Sequence, residues 1–244
     1  MNRRILFTGL LAATLLAACG TSPTTSNAPA TPEVRSALAP TGTLRIAVYT
    51  GSPTSLVRAA PPVEMRGVSI DIGRELAQRL GVPSEVVVFQ RVAEVIDALK
   101  TGRADFTITN ATAARAAEVD FTEPLVGLEL GYLALPGSPV TAIDAVDRPG
   151  VRIGVSQGST SQGVLSAQFK QASVVPAPSL QAAREMLKNQ QLDAFATNKG
   201  VLFEMADQLP GARVLDGRWG LENLAIAVPK GRGSALPWLR GFAQ

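Results

Sequence analysis

A twelve-residue pattern that the chain carries twice constrains its fold more than any other feature. Residues 99–110 read LKTGRADFTITN and residues 187–198 read LKNQQLDAFATN. Leu99 and Leu187, Lys100 and Lys188, Asp105 and Asp193, Thr109 and Thr197, and Asn110 and Asn198 all match at one offset of 88 positions. Each copy follows an apolar stripe at helical spacing: Val92, Val95, Ile96 and Leu99 in the first, Leu180, Ala183, Met186 and Leu187 in the second. Both copies therefore read as helix, tight turn and short strand, with a polar Thr-Asn pair where the strand ends. Two lobes built on one plan are expected.

The rest of the chain from Gly42 alternates in the same way. Gly42-Thr43 leads into a strand from Leu44 to Val48, a helix runs from about Ile70 to Leu80 and stops at Gly81, and a β-branched strand follows from Glu85 to Phe89. After the first repeat strand, Asp105 to Thr109, comes an apolar stretch from Leu128 to Leu135, closed by Pro136-Gly137. The second half gives strands at Arg152 to Val155 and Ser173 to Val175 around a helix from about Thr160 to Phe169. Ser179 is placed to cap the second repeat helix. A strand at Ala194 to Ala196, a helix from about Lys199 to Gln208, and strands at Arg213 to Leu215 and Leu224 to Val228 complete the pattern. Such alternation means an α/β class with mainly parallel strands. Ligands of these sheets bind beyond the carboxyl ends of the strands. If the lobes face each other, Thr109-Asn110 and Thr197-Asn198 stand on the two walls of one cleft.

The amino-terminal residues read as a targeting segment. Arg3 and Arg4 precede an apolar run from Ile5 to Leu16, too short to span a bilayer but suited to a secretory signal. Leu16-Ala17-Ala18-Cys19 resembles the lipobox of bacterial lipoprotein signal peptides, which implies removal of residues 1–18, acylation of Cys19 and attachment to a membrane. Residues 19–41, rich in Thr, Ser, Pro and Ala, read as the lipidated cysteine and a flexible tether of about 25 Å average reach.

Composition removes whole classes of chemistry. Cys19 is the only cysteine and there is no histidine, so Ser-His-Asp hydrolysis, Cys-His proteolysis, disulfides and His-ligated or Cys-ligated zinc are excluded. No metal or cofactor is expected. The net charge of +3 includes Arg3 and Arg4, so the chain from Cys19 carries +3 − 2 = +1, and its cations are scattered; this is no nucleic-acid footprint.

The segments GTLRIAVYTGSPTS, GVSIDIGRELAQRLGV, TNATAARAAEVDFTEP, GVRIGVSQGSTSQ and LDAFATNKG, in that order, resemble the family 3 extracellular solute-binding proteins that serve polar amino acid ABC importers. The resemblance runs from Gly42 to about Lys230. It implies a type II periplasmic-binding-protein fold, with residues 42–128 as lobe one, 129–221 as lobe two and 222–244 returning to lobe one. Two crossing segments, near Val126 to Leu130 and Gly220 to Leu224, would close the lobes on a solute by hinge motion. The implied partners are an amino-acid-like carboxylate, an inner-membrane ABC permease and, through the lipid anchor, the membrane. A monomer on the periplasmic side or cell surface is expected.

Site residues carry over by position. Arg115 matches the family arginine that grips the ligand's α-carboxylate, a task suited to a rigid fork of donors. The family usually has two more residues between the positions of Asp105 and Arg115. Ser159 and Thr160 match the residues that bind the same carboxylate from the second lobe, at a helix start whose free N–H groups favour an anion; read alone they are a Ser/Thr helix cap. Asn198 stands where the family has an aspartate that accepts the α-ammonium. Either another acid, such as Glu64 or Glu222, takes the ammonium, or the ligand carries none, or Asn198 only caps the helix starting at Lys199. Thr109 and Asn110 are expected to line the first wall and bond the ligand, and Tyr49 and Thr50 to give a stacking or capping surface.

The function expected is a substrate-binding lipoprotein, not an enzyme. The alternatives are an enzyme on the same scaffold, as cyclohexadienyl dehydratases are, or a sensory solute-binding protein. Family members usually continue beyond the position of Gln244; if the sequence is truncated there, the apolar face carrying Trp238 and Phe242 is expected to be underpacked.

Overall fold

A computed structural model describes residues 29–50, 52, 54–57 and 65–243. The signal segment 1–18, Cys19 and Glu64 lie outside the described residues. No described helix is long and apolar enough to cross a membrane.

The first element corrects the reading of residues 19–41 as tether throughout. Pro32–Leu38 forms a helix, α1, with Pro at its start and Thr31 Oγ1 accepting from Val34 N at 3.3 Å. Leu38 is 1% exposed in the core. Arg35 Nε donates to Leu80 O at 2.7 Å and Arg232 Nη1 donates to Leu38 O at 3.0 Å, which fixes the segment to the first lobe. One apolar knob and two arginine contacts outweigh a polar average over the stretch.

From there the chain builds β1 (Leu44–Tyr49), α2 (Val68–Leu80), β2 (Ser84–Phe89), α3 (Val92–Lys100) and β3 (Thr107–Asn110), then α4 (Ala113–Ala116) and β4 (Val119–Phe121). In α2, Ile70, Gly73, Leu76, Ala77 and Leu80 face the core at helical spacing, and Gly81 ends it in the left-handed conformation at φ 68°. A long strand, β5 (Val126–Ala134), carries the chain into the second lobe. There β6 (Arg152–Ser156), α5 (Thr160–Gln168), β7 (Ser173–Ala177), α6 (Leu180–Lys188) and β8 (Ala194–Asn198) repeat the first half element for element. After α7 (Lys199–Asp207) and β9 (Arg213–Val214), a second long strand, β10 (Gly220–Pro229), returns to the first lobe, where α8 (Leu236–Phe242) packs.

Strand order makes the repetition explicit. The second lobe runs β7-β6-β8-β5. The first runs β2-β1-β3-β10, with β1 joined to β3 through the Ile46–Phe106 bridge and the Thr107 hydroxyl donating to Ala47 O at 2.8 Å. Strands that alternate with helices pair in parallel, as expected: β1 with β2, and β6 with β7 and β8. The crossing strands run antiparallel to their neighbours, β10 to β3 and β5 to β8, because each enters from the other lobe without a crossover helix. They also pair with each other, from Gly220 opposite Leu130 to Leu224 opposite Val126.

The buried apolar residues divide the same way. One pair of clusters draws on residues 38–119 and 224–239, the other on residues 132–215. In α8, Leu239 is fully buried, while Trp238 and Phe242 are half-buried against the first-lobe core, their rings stacked with centroids 6.2 Å apart and the Arg79 guanidinium 5.2 Å from the Phe242 ring centre.

Candidate functional site

The carboxyl ends of β1, β2, β3, β6, β7 and β8 converge on two contiguous cavities between the lobes, of about 80 and 30 Å³. Tyr49, Ser52, Val92, Ser159 and Glu222 line both. The smaller also holds Thr109, Asn110 and Arg115 from the first lobe and Thr160 from the second; the larger holds Gln90, Gln157, Ser179, Thr197 and Asn198. Tyr49, Thr109, Asn110, Arg115, Ser159, Thr160 and Asn198, scattered over 150 positions of sequence, are thus brought together, and Thr50 lines the larger cavity.

Arg115 reaches the cleft despite the shorter spacing from Asp105. Immediately after β3 the Thr112 hydroxyl accepts from Arg115 N at 3.2 Å and starts the four-residue α4, which turns the arginine back over the strand end. Nη1 then donates to Thr109 Oγ1 at 2.8 Å and to Asn110 O at 3.2 Å. Thr109 and Asn110 line the wall, as expected, but their first task is to hold this guanidinium. Asn110 Oδ1 is occupied by Asn223 N of β10 at 2.9 Å. Burial pulls the Arg115 pKa down, opposed by Tyr49 and Glu222. Arginine nevertheless remains protonated. No carboxylate among the described residues forms an ion pair with it.

The opposite wall is a helix start. Ser159 Oγ accepts from Gln162 N at 3.2 Å, while Gln162 Oε1 accepts from Gly158 N at 2.7 Å. The capping reading of Ser159 is therefore correct, and its hydroxyl proton stays available beside Thr160. The two walls meet closely: a Cβ placed on Gly158 would lie 3.6 Å from Ala93 Cβ at the start of α3.

Asn198 has two tasks. Its Oδ1 caps α7, accepting from Val201 N at 3.1 Å, and its Nδ2 donates to Glu222 Oε2 at 3.1 Å. Glu222, which sequence reading left as one of two candidate acids, stands in the cleft. Burial pushes its carboxyl above the ordinary glutamate range, against the Asn198 hydrogen bond and the Arg115 charge. Tyr49 is pushed up to about 12 by burial and by the Glu222 charge, so it remains a neutral hydroxyl.

Gln90, Gln157 and Ser179 were not anticipated as site residues. Each directly follows a strand, or stands two positions beyond it, so the strand-end rule applied to β2, β6 and β7 could have found them.

The sequence profile of the bacterial extracellular solute-binding proteins, family 3, matches residues 44–236. The chain is 27% identical over 235 residues to the ABC transporter glutamine-binding protein GlnH of Bacillus subtilis, covering 93% of this chain and 85% of that protein. Its fold is similar to that of a point mutant of arginine-bound ArgBP from T. maritima, with TM-score 0.76 and 19% identity over 86% of this chain and 98% of that one. It is also similar to the ancestral amino acid-binding protein AncCDT-1, a precursor of cyclohexadienyl dehydratase, with TM-score 0.74 and 23% identity over 86% and 91% of the two chains.

Proposed function

Because the chain belongs to the bacterial extracellular solute-binding proteins of family 3, we propose that it captures a small carboxylate-bearing solute, an amino acid or close relative, for an ABC importer. The observation that carries this reading is the Arg115 guanidinium, fixed by Thr109 and Asn110 at the cleft and paired with no carboxylate among the described residues. A held fork of N–H donors fits a carboxylate edge to edge. Thr160 and Ser159 at the start of α5 stand across the same small cavity and complete the anion site from the second lobe.

The remaining parts follow from this. Val126–Leu130 and Gly220–Leu224, the ladder shared by the crossing strands, form the hinge between residues 42–128 with 222–244 on one side and 129–221 on the other. Cys19 anchors the protein to the membrane and residues 20–31 supply the tether, a reading that rests on the lipobox-like pattern. Removing the cysteine as Cys19→Ser is expected to release the protein from the membrane fraction. The amino acid class is supported by the glutamine-binding relative. Glu222 is the one carboxylate lining either inner cavity among the described residues, so enzymatic acid–base chemistry would rest on it alone; turnover of prephenate or arogenate tests that alternative.

A thermal-shift panel of the common L-amino acids, amines and organic acids tests the proposal. At 100 times its dissociation constant a bound ligand stabilises the fold by about 2.7 kcal/mol, roughly 5–10 °C for a chain of this size. A carboxylate solute is expected to give such a shift in the wild type and none in Arg115→Ala. Equal shifts in both proteins, or shifts only with amines, would overturn it.

A further inference from the structure

Two opposite charges face this cleft without pairing. Arg115 and Glu222 are close enough to influence each other's ionisation, yet they form no ion pair, and Glu222 has no cationic partner among the described residues. Its one recorded hydrogen bond comes from a neutral amide, Asn198 Nδ2 at 3.1 Å. A carboxylate so placed is costly to keep charged until a cation arrives.

The position of Glu222 narrows what that cation is. Arg115, Thr109, Asn110 and Thr160 belong to the smaller cavity, and Gln90, Gln157, Ser179, Thr197 and Asn198 to the larger, whereas Glu222 lines both. In an α-amino acid the carboxylate, the ammonium and the side chain diverge from one carbon. With the carboxylate in the smaller cavity and the side chain in the larger, the ammonium falls at the junction between them.

We propose that Glu222, held in place by Asn198, receives the ligand's α-ammonium, so that the cleft selects α-amino acids over the corresponding acids lacking that group. This rests on the reading that Arg115 takes the α-carboxylate. The charge missing at position 198 is supplied from the crossing strand β10 instead, and Asn198 becomes the positioning residue for it. Because Glu222 lies opposite Leu128 in the ladder joining the two crossing strands, the ammonium contact is made at the hinge itself.

The experiment measures dissociation constants, by calorimetry on the full chain, for the common L-amino acids and for the acids that lack the α-ammonium, glutamine and glutaramate among them. Wild type is expected to bind its amino acid and to discriminate against the deaminated acid. Glu222→Gln is expected to lose about 30-fold or more in affinity for the amino acid and to lose that discrimination. The double variant Glu222→Gln/Asn198→Asp, with a charge restored 24 positions away, is expected to recover both. Arg115→Ala is expected to lose amino acid and deaminated acid alike. If Glu222→Gln still prefers the amino acid, or if wild type binds both equally, the ammonium assignment is wrong while the Arg115 reading stands. If wild type binds neither and Arg115→Ala changes nothing, both are wrong.

Discussion

Asp193 holds Arg152 with the three hydrogen bonds by which Asp105 holds Arg45. In each lobe one carboxylate oxygen accepts from the arginine's backbone N–H and Nε, and the other accepts from Nη2, at distances between 2.7 and 3.1 Å. The backbone returns the contact, Asp105 N to Arg45 O and Asp193 N to Arg152 O, both at 2.9 Å. The fork ties the loop after each repeat helix to the start of the strand beside it, β1 in one lobe and β6 in the other. It thereby sets the register that carries Asn110 and Asn198 to the cleft.

The two forks differ in burial, and their removal is expected to differ accordingly. Asp105 is fully buried and also accepts from Arg232 Nη2 at 2.8 Å, so Asp105→Asn leaves two guanidinium groups short of a counter-charge and is expected to cost about 3–5 kcal/mol. Asp193→Asn is expected to cost less, because Arg152 stays solvated. Burial opposes ionisation of Asp193, but Arg152 more than offsets it and holds the carboxyl below its ordinary value. Its stabilisation is then present above the unfolded aspartate value of about 3.9 and is lost as pH falls through the lower folded value. Denaturant melts at pH 7 and pH 3 are expected to show a larger gap between wild type and Asp193→Asn at pH 7.

The repeat also carries an unresolved conflict in its turn. Gly102 has φ 69° and Gln190, at the same place in the second copy, has φ 55°, the one positive φ among described non-glycine residues. The turns are otherwise alike: Gly102 N donates to Leu99 O and Arg103 N to Ala98 O, as Gln190 N does to Leu187 O and Gln191 N to Met186 O. A left-handed non-glycine residue costs roughly 1–2 kcal/mol, against about 0.5–1 kcal/mol for the extra unfolded-state freedom of glycine. Gln190→Gly is therefore expected to stabilise by about 0.5–1 kcal/mol, visible as a melting point higher by about 1–4 °C.

These comparisons show what was legible in the sequence and what was not. Helix, turn and strand of each copy were readable because their apolar spacing is local. The arginine of each fork was not, since Arg45 precedes its aspartate by 60 positions and Arg152 by 41, so no single offset aligns the two forks. Glu222 could not be told from Glu64 because a strand residue declares its face only once its neighbours are known, and β10 pairs with three different strands. The helix α1 escaped because a short element with one buried leucine vanishes in the composition of a polar stretch.

That helix makes a boundary prediction. Leu38 packs in the core of the first lobe, and Arg35 caps the end of α2. Leu38→Ala is expected to cost about 2–5 kcal/mol. A chain beginning at Gly42 is expected to melt at least about 5 °C below one beginning at Ala30. Equal melting points would mean that α1 contributes nothing to the fold.

The last prediction separates the holder of the guanidinium from its echo. Thr109 is 4% exposed and its Oγ1 accepts from Arg115 Nη1 at 2.8 Å. A hydrogen bond to a charged group contributes about 1.5–3 kcal/mol, so Thr109→Val, which keeps the shape and loses the acceptor, is expected to weaken binding of the preferred amino acid about 10- to 150-fold. Thr109→Ser keeps the hydroxyl and is expected to bind nearly as wild type does. Thr197, its counterpart in the second copy, lines the larger cavity and accepts no hydrogen bond from an arginine among the described residues; Thr197→Val is expected to change affinity far less. Equal losses from the two valine variants would mean that the threonines act as ligand contacts in their own right, and that Arg115 keeps its aim without help from the strand end.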